Sequence, residues 1–190
     1  MEQKKIDTNE MIVAARKEYA GAGREGKDIL ARLFGKEVFE AKVTDRIKTF
    51  EDALKELGED NRLVKEYKAA LNYDSGRNLR AYLKLRIVCA ALNEGWVPKF
   101  TVDEYRYFPY YYLLTKKEYD ALSDKEKENA VFFGGYAYYD AGGGLAYAHS
   151  LFGFSPASAY YGSRLCLKNR ELAVYCGKQF IKIWADYLTQ

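Results

Sequence analysis

The aromatic residues of this 190-residue chain are unevenly distributed. Of its 30 Tyr, Phe and Trp residues, 17 lie between positions 101 and 163, in clusters at 104–114, 131–140 and 151–154. Aromatic residues that alternate with small or polar ones are typical of β-strands. The first 95 residues instead carry apolar residues at the three- and four-residue spacing of amphipathic helices. The chain therefore predicts helices first and an aromatic sheet afterwards.

The strongest helix signal covers residues 77–94. Its apolar face is so broad that the helix must be covered on more than one side, as a central helix would be. Gly95 is well placed to end this helix in a left-handed conformation, and Pro98 follows three residues later. Shorter helices are predicted at about 8–19, 29–34, 49–57 and 63–71.

The second half of the chain carries further local signals. A helical interruption of the sheet is expected at 115–129, which contains two capping-box sequences. The glycine run at 142–144 is expected to form a flexible hairpin turn. Residues 163–168 alternate between apolar and polar, which predicts a half-buried strand. Asn169 is expected to cap a helix that runs to about Leu188.

These segments predict an α+β fold in a single domain over residues 1–190. The helical part covers 1–95, and an aromatic-rich antiparallel sheet covers 96–168, including the strand that closes it. A helix at 169–190 completes the domain by packing on the sheet or on the central helix. Apolar residues make up 48% of the chain and charged residues 30%, with a net charge of +3, which is the balance of a folded protein.

Several classes of protein are excluded by composition. No apolar run approaches the ~20 residues of a membrane-spanning helix, and the N-terminus lacks the apolar segment of a secretory signal. The three cysteines, Cys89, Cys166 and Cys176, are odd in number and widely spaced, which argues against a disulfide framework. We expect them to be buried thiols of a protein in a reducing compartment. A metal site is not expected, because His149 is the single histidine and no CxxC motif is present. We therefore predict a cytoplasmic protein without metal or cofactor.

Residues suited to catalysis are sparse. His149 is the chain's single histidine, the residue type most often used as a base near neutral pH, with Ser150 beside it and Asp140 nine residues earlier. Neighbours on a strand point to opposite faces, so His149 and Ser150 do not form a nucleophile–base pair there. Cys166 is expected on the polar side of its strand, beside basic residues that would lower its pKa, but it lacks a positioned histidine. We predict a non-enzyme; a hydrolase using His149 and Asp140 is the enzymatic alternative.

The aromatic sheet is the best candidate for a binding surface. Eighteen tyrosines carry more hydroxyl groups than one small core readily satisfies. Two interpretations stay open, one in which the rings only fill the core and one in which some form an exposed contact surface. The predicted contact residues are Tyr107, Tyr110, Tyr112, Tyr136, Tyr138 and Arg164.

Three kinds of partner fit such a surface. A protein partner or a second copy of the chain suits its tyrosine content and mixed charge. Single-stranded nucleic acid, stacked on the same rings beside Arg164, is the alternative, although a net charge of +3 attracts phosphates only modestly. Stacking on a sugar ring is the third. No membrane partner is expected.

Four long blocks of the sequence resemble a known family. They are GKDILARLFGKEVF (26–39), RIKTFEDALKELG (46–58), AYLKLRIVCAALNEGWVPKF (81–100) and YGSRLCLKNRELAVYCGKQFIKIWADYL (161–188). In spelling and order they are similar to blocks of an uncharacterised family of proteins from gut Bacteroides and their phages and integrated elements. The resemblance spans most of the chain and implies a small accessory protein of a phage or mobile element. It implies no catalytic residue.

Overall fold

The computed structural model describes residues 8–73, 75–99, 101, 103–133, 142–154 and 163–189. The first half of these residues forms helices α1 (Thr8–Gly21), α2 (Arg24–Phe34), α3 (Glu37–Glu40), α4 (Val43–Arg46), α5 (Phe50–Leu57), α6 (Arg62–Leu71) and α7 (Arg77–Leu92). The second half forms strand β1 (Tyr105–Thr115), helices α8 (Lys116–Asp120) and α9 (Asp124–Lys127), strands β2 (Ala130–Phe133) and β3 (Gly143–Phe154), a 3-10 helix (Ser163–Leu165), and helices α10 (Arg170–Gln179) and α11 (Ile181–Leu188). The predicted α+β class, with helices before an antiparallel sheet, is confirmed.

Helix α7 is the centre of the helical part. Eight of its 16 residues are buried, because α5, α6 and α11 all pack against it. The prediction of a central helix is therefore confirmed, and the shorter predicted helices correspond to α1, α2, α5 and α6. Gly95 has a φ of +84°, the left-handed conformation that glycine adopts without steric cost.

The sheet has the strand order β1-β3-β2, and both strand pairs are antiparallel. Strand β3 lies in the middle because it pairs with the full length of β1 on one side and with β2 on the other. A bulge at Ala148 of β3 shifts the register between Tyr110 and Tyr111. Because of this extra residue, Tyr147 and His149 point to opposite faces of the sheet, where they contact Tyr111 and Tyr110 respectively.

The inner face of the sheet packs against α10 and α11. The hydroxyl of Tyr111 donates to the backbone carbonyl of Gly177 at 2.9 Å, and its ring centroid lies 5.7 Å from that of the fully buried Trp184. Leu145 of the central strand is also fully buried. The hydrophobic core therefore runs from this face through the C-terminal helices to α7.

The prediction of a half-buried strand at 163–168 is wrong. Ser163–Leu165 form a 3-10 helix instead, and Cys166, predicted on the polar side, is buried like Leu165 and Leu167. Only Leu167 pairs with β1, through two backbone hydrogen bonds with Tyr107 of 3.0 and 3.1 Å. The segment is covered on both sides because it runs between α7 and the edge of the sheet.

The predicted hairpin turn at the glycine run is also wrong, because Gly143 and Gly144 begin β3 and Gly142 directly precedes it. A Cβ atom at Gly144 would lie 2.3 Å from Cδ2 of Tyr119, so the missing side chain lets α8 pack its ring on the sheet. The helical interruption is confirmed, and α8 and α9 each begin with a capping box, at Thr115 and Ser123. The final helix is confirmed too, but it breaks at the buried Phe180 into α10 and α11.

Candidate functional site: an aromatic sheet face and an arginine groove

The sheet surface that points away from α10 and α11 carries several exposed aromatic side chains. We call it the outer face and define it by Tyr110 and Tyr112 of β1, Gly144, Ala146 and His149 of β3, and Ala130 and Phe132 of β2. The register places Ala146 between Tyr112 and Ala130, and Gly144 beside Phe132. Ala146 therefore leaves space beside Tyr112, whereas the ring of Tyr119 from α8 covers Gly144 and lies 5.4 Å from the ring of Phe132.

Ring contacts hold the aromatic side chains of the outer face in place. The ring of Tyr110 lies 4.8 Å from that of His149 and 5.7 Å from that of Tyr112, in tilted and edge-to-face arrangements that aromatic pairs favour. Tyr112 is 54% exposed and Phe132 is 41% exposed. A cluster of exposed apolar side chains of this kind marks a contact surface.

Charges of both signs border the outer face on α8, α9 and the residues beside them. Residues 116–128 contain four lysines and five carboxylates, so the border is close to neutral. Hydrogen bonds with Thr115 lower the pKa of Glu118, and hydrogen bonds with Ser123 lower the pKa of Glu126. Both carboxylates are therefore firmly ionised at neutral pH.

A second surface lies between α6 and α7. It is a groove of about 420 Å³ whose lining includes Arg62, Arg86, Arg164 and Trp96, and we call it the arginine groove. Arg62 and Arg86 both pair with Glu66, at 2.5 and 2.6 Å, whereas Arg164 is exposed and makes no ion pair with any described residue. Sequence reasoning missed Arg62, Arg86 and Trp96, because arginines spaced along amphipathic helices resemble ordinary solvated positions.

No family model, curated protein or solved structure matches this chain. Across the part of the chain that the structure describes, no helix is long and apolar enough to cross a membrane. The same part of the chain holds no group of three or more His, Cys, Asp or Glu side chains arranged to bind a metal ion. What the chain does is therefore inferred from its two surfaces.

The structure brings together only some of the predicted contact residues. Tyr110 and Tyr112 share the outer face, but Tyr107 lies on the inner side of β1, where it packs against the core. Arg164 lines the arginine groove instead of the outer face. Tyr136 and Tyr138 lie outside the described residues. The outer face is therefore aromatic without the arginine that was expected beside it.

Among the described residues, His149 has no acid–base partner. His149 is exposed and stacks on Tyr110, and no described carboxylate contacts it. The hydroxyl of Ser150 donates to the backbone carbonyl of Leu151 at 3.4 Å, and Ser150 pairs with Pro109 on the opposite side of the sheet. Asp140 lies outside the described residues. The observed contacts make His149 one of the rings of the outer face.

The expectation that Cys166 is partly exposed and has a lowered pKa is wrong. Cys166 is buried, and this burial raises its pKa to about 11 although Arg106 acts in the opposite direction. Cys89 and Cys176 are buried as predicted. A hydrogen bond with Cys176, together with burial, raises the pKa of Cys89 as well.

We expect Ellman's reagent at about pH 8 to modify none of the three cysteines in the folded protein. Burial blocks access to the sulfur atoms, and the raised pKa of Cys166, about 11, suppresses its thiolate at that pH. The same sample unfolded in guanidinium chloride is expected to release three equivalents of product. Rapid modification of one thiol in the folded protein, mapped to Cys166 by mass spectrometry, would contradict the buried placement.

Proposed function

We propose that this chain is a non-catalytic binding protein whose outer face binds a second copy of the chain. One observation carries the proposal: Tyr112 and Phe132, on the two outer strands, are exposed on the same face of the sheet, with the small residue Ala146 between Tyr112 and Ala130. Tyrosine rings bury a large area while losing little side-chain entropy, which is why they are enriched at protein interfaces. An exposed patch of aromatic side chains on a sheet suits the rings of another protein surface.

The charges around the outer face favour a protein over a nucleic acid as the partner. Single-stranded nucleic acid needs cations beside the stacking rings to neutralise its phosphates. The border of the outer face instead has four lysines and five carboxylates. The ionised Glu118 and Glu126 would repel a phosphate chain. Arg164, the cation expected to attract phosphates to this face, lines a separate groove.

The same charge pattern favours a second copy as the occupant. In a two-fold symmetric pair, the same patch of each copy faces the other, so a patch with both signs of charge can match itself. Lysines on α8 of one copy can then face the carboxylates on α9 of the other. The exposed side chains are few compared with the ~800 Å² per partner of a stable interface. We therefore expect a weak dimer, with a dissociation constant on the order of 10 µM.

Sedimentation velocity at about 1 to 300 µM protein tests this proposal. We expect the mean sedimentation coefficient of the wild type to rise with concentration toward that of a dimer. The double variant Tyr112→Thr, Phe132→Thr is expected to bind itself at least ~10-fold more weakly, because loss of central interface aromatics typically costs more than ~1 kcal/mol each. Threonine is chosen because it retains the tendency to form strands.

Tyr73→Thr is the matched control for this experiment. Tyr73 follows α6, is 74% exposed and lies away from the outer face, so its replacement removes the same side chain from a different surface. We expect this variant to associate as the wild type does. A wild type that stays monomeric over the whole range, or an equal loss of association in Tyr73→Thr, would overturn the proposal.

A further inference from the structure

The arginine groove has an excess of positive charge. Its lining contains three arginines and no carboxylate, and Glu66 beside it pairs with Arg62 and Arg86. Glu59 and Asp60, which precede α6, pair with Lys68 and Lys65. Arginine is suited to bind phosphate, because its planar group donates two parallel hydrogen bonds to adjacent oxygens. The electrostatics therefore point to an anionic ligand.

An apolar wall borders the arginine groove, and hydrogen bonds connect it to the segment that contains Arg164. Trp96 and Val97 form part of the wall, and Val97 is 72% exposed. The backbone N–H of Trp96 donates to the carbonyl of Asn93 at 2.9 Å. The side chain of Asn93 donates to the carbonyl of Cys166, two residues after Arg164, at 2.9 Å. Asn93 therefore holds the wall and the Arg164 segment together, which lowers the entropic cost of binding.

We propose that the arginine groove binds single-stranded nucleic acid, with Arg62 and Arg164 on phosphates and Trp96 stacked on a base. Every base presents a face that an indole ring can cover, so this mode needs no particular sequence. The exposure of Val97 shows that the groove does not enclose a ligand, as a pocket for a free nucleotide would. A strand can therefore continue beyond the groove. This site is separate from the outer face and does not depend on the proposed self-association.

Fluorescence anisotropy of a labelled oligothymidylate of about 15 nucleotides, titrated at about 20 to 200 mM salt, tests the proposal. With two phosphates contacted, we expect the logarithm of the affinity to fall with a slope of about −1.4 against the logarithm of salt concentration. Arg164→Ala is expected to reduce that slope by about 0.7 and to weaken binding roughly 10-fold at low salt. Trp96→Ala is expected to weaken binding roughly 5- to 100-fold with the slope unchanged.

Three controls make the result specific. Trp184, the other tryptophan, is buried and reports by its emission that Trp96→Ala is folded. Arg32→Ala removes an exposed arginine of α2 and is expected to bind as the wild type does. Free thymidine monophosphate is expected to compete only at more than ~100-fold higher nucleotide concentration than the unlabelled oligonucleotide.

Four results would overturn the proposal. The first is an absence of binding by the wild type at low salt. The second is an equal loss in Arg32→Ala and Arg164→Ala, which would indicate a general charge effect. The third is equal competition by the free nucleotide, which would indicate a mononucleotide site. The fourth is loss of binding in Tyr112→Thr with Arg164→Ala unaffected, which would place nucleic acid on the outer face.

Discussion

Replacing Asn93 with alanine is expected to lower the free energy of unfolding by about 2–4 kcal/mol. The buried side chain of Asn93 donates to the carbonyl of Cys166 at 2.9 Å and accepts from the backbone N–H of Lys168 at 3.0 Å. Alanine leaves both backbone groups without these partners, and each unsatisfied buried group costs about 1–3 kcal/mol. Because the same side chain fixes the segment that carries Arg164, we also expect weaker oligonucleotide binding.

Asn72→Ala is the matched control for this prediction. Asn72 ends α6 with φ −79° and ψ −8°, and Asn93 ends α7 with φ −77° and ψ −11°. The side chain of Asn72, however, is exposed and makes no hydrogen bond with the residues that the structure describes. Its replacement is expected to change the free energy of unfolding by less than ~0.5 kcal/mol. Guanidinium denaturation measures both variants, and equal losses would contradict the role given to Asn93.

Gly177→Ala is expected to destabilise the protein by about 1–3 kcal/mol, although alanine is the better helix former. A Cβ atom at this position of α10 would lie 2.6 Å from Cε2 of Tyr147 and 2.8 Å from Cβ of Pro109. Helix α10 must therefore move away from the inner face of the sheet. That movement weakens the hydrogen bond from Tyr111 to the Gly177 carbonyl. Since the same strands carry the outer face, we expect self-association to weaken as well.

Gly21→Ala separates this packing effect from helix propensity. Gly21 is the last residue of α1, and a Cβ atom there would have no heavy atom within 4 Å beyond its local helix neighbours. Its replacement is expected to leave the free energy of unfolding unchanged or to raise it by less than ~1 kcal/mol. Denaturation curves of the two alanine variants provide the comparison. If Gly177→Ala is as stable as the wild type, the close contact of α10 with the sheet is wrong.

The elements that the sequence predicted correctly are those set by short-range signals. The apolar residues of 77–94 cover so much of a helix surface that burial on several sides is the natural outcome, as α7 shows. The capping boxes at Thr115 and Ser123 satisfy backbone N–H groups within three residues, so they depend little on the rest of the fold. Local hydrogen bonds and helical periodicity therefore predicted these helices.

The elements that the sequence did not predict depend on contacts between residues that are distant in the chain. Residues 163–168 alternate like a strand at a sheet surface, but α7 and β1 cover them from two sides. The glycines before Leu145 resemble a turn, yet Gly144 is required because the ring of Tyr119 packs over it. Alternation and composition contain no information about which distant element lies opposite. Tertiary packing decided both cases.

The candidate sites likewise combine features that local patterns predict with features that only tertiary contacts determine. Strand alternation alone places Tyr110 and Tyr112 on one face of β1 and Tyr107 on the other, as the structure does. The location of Arg164 depends on the hydrogen bonds of Leu165 and Cys166 with Cys89 and Asn93, which no local pattern records. The arginine groove joins residues from α6, α7 and the segment that contains Arg164. Only the fold brings these residues together.

Site-directed photo-crosslinking tests most directly whether the outer face contacts a second copy of the chain. A benzophenone side chain is placed at Tyr112 in one sample and at the exposed Tyr73 in another. We predict crosslinked dimers from the Tyr112 position, with attachment mapped to outer-face residues such as Phe132 or His149 of the other copy. We predict none from the Tyr73 position. An absence of dimers from the Tyr112 position, or equal yields from both, would contradict the proposed interface.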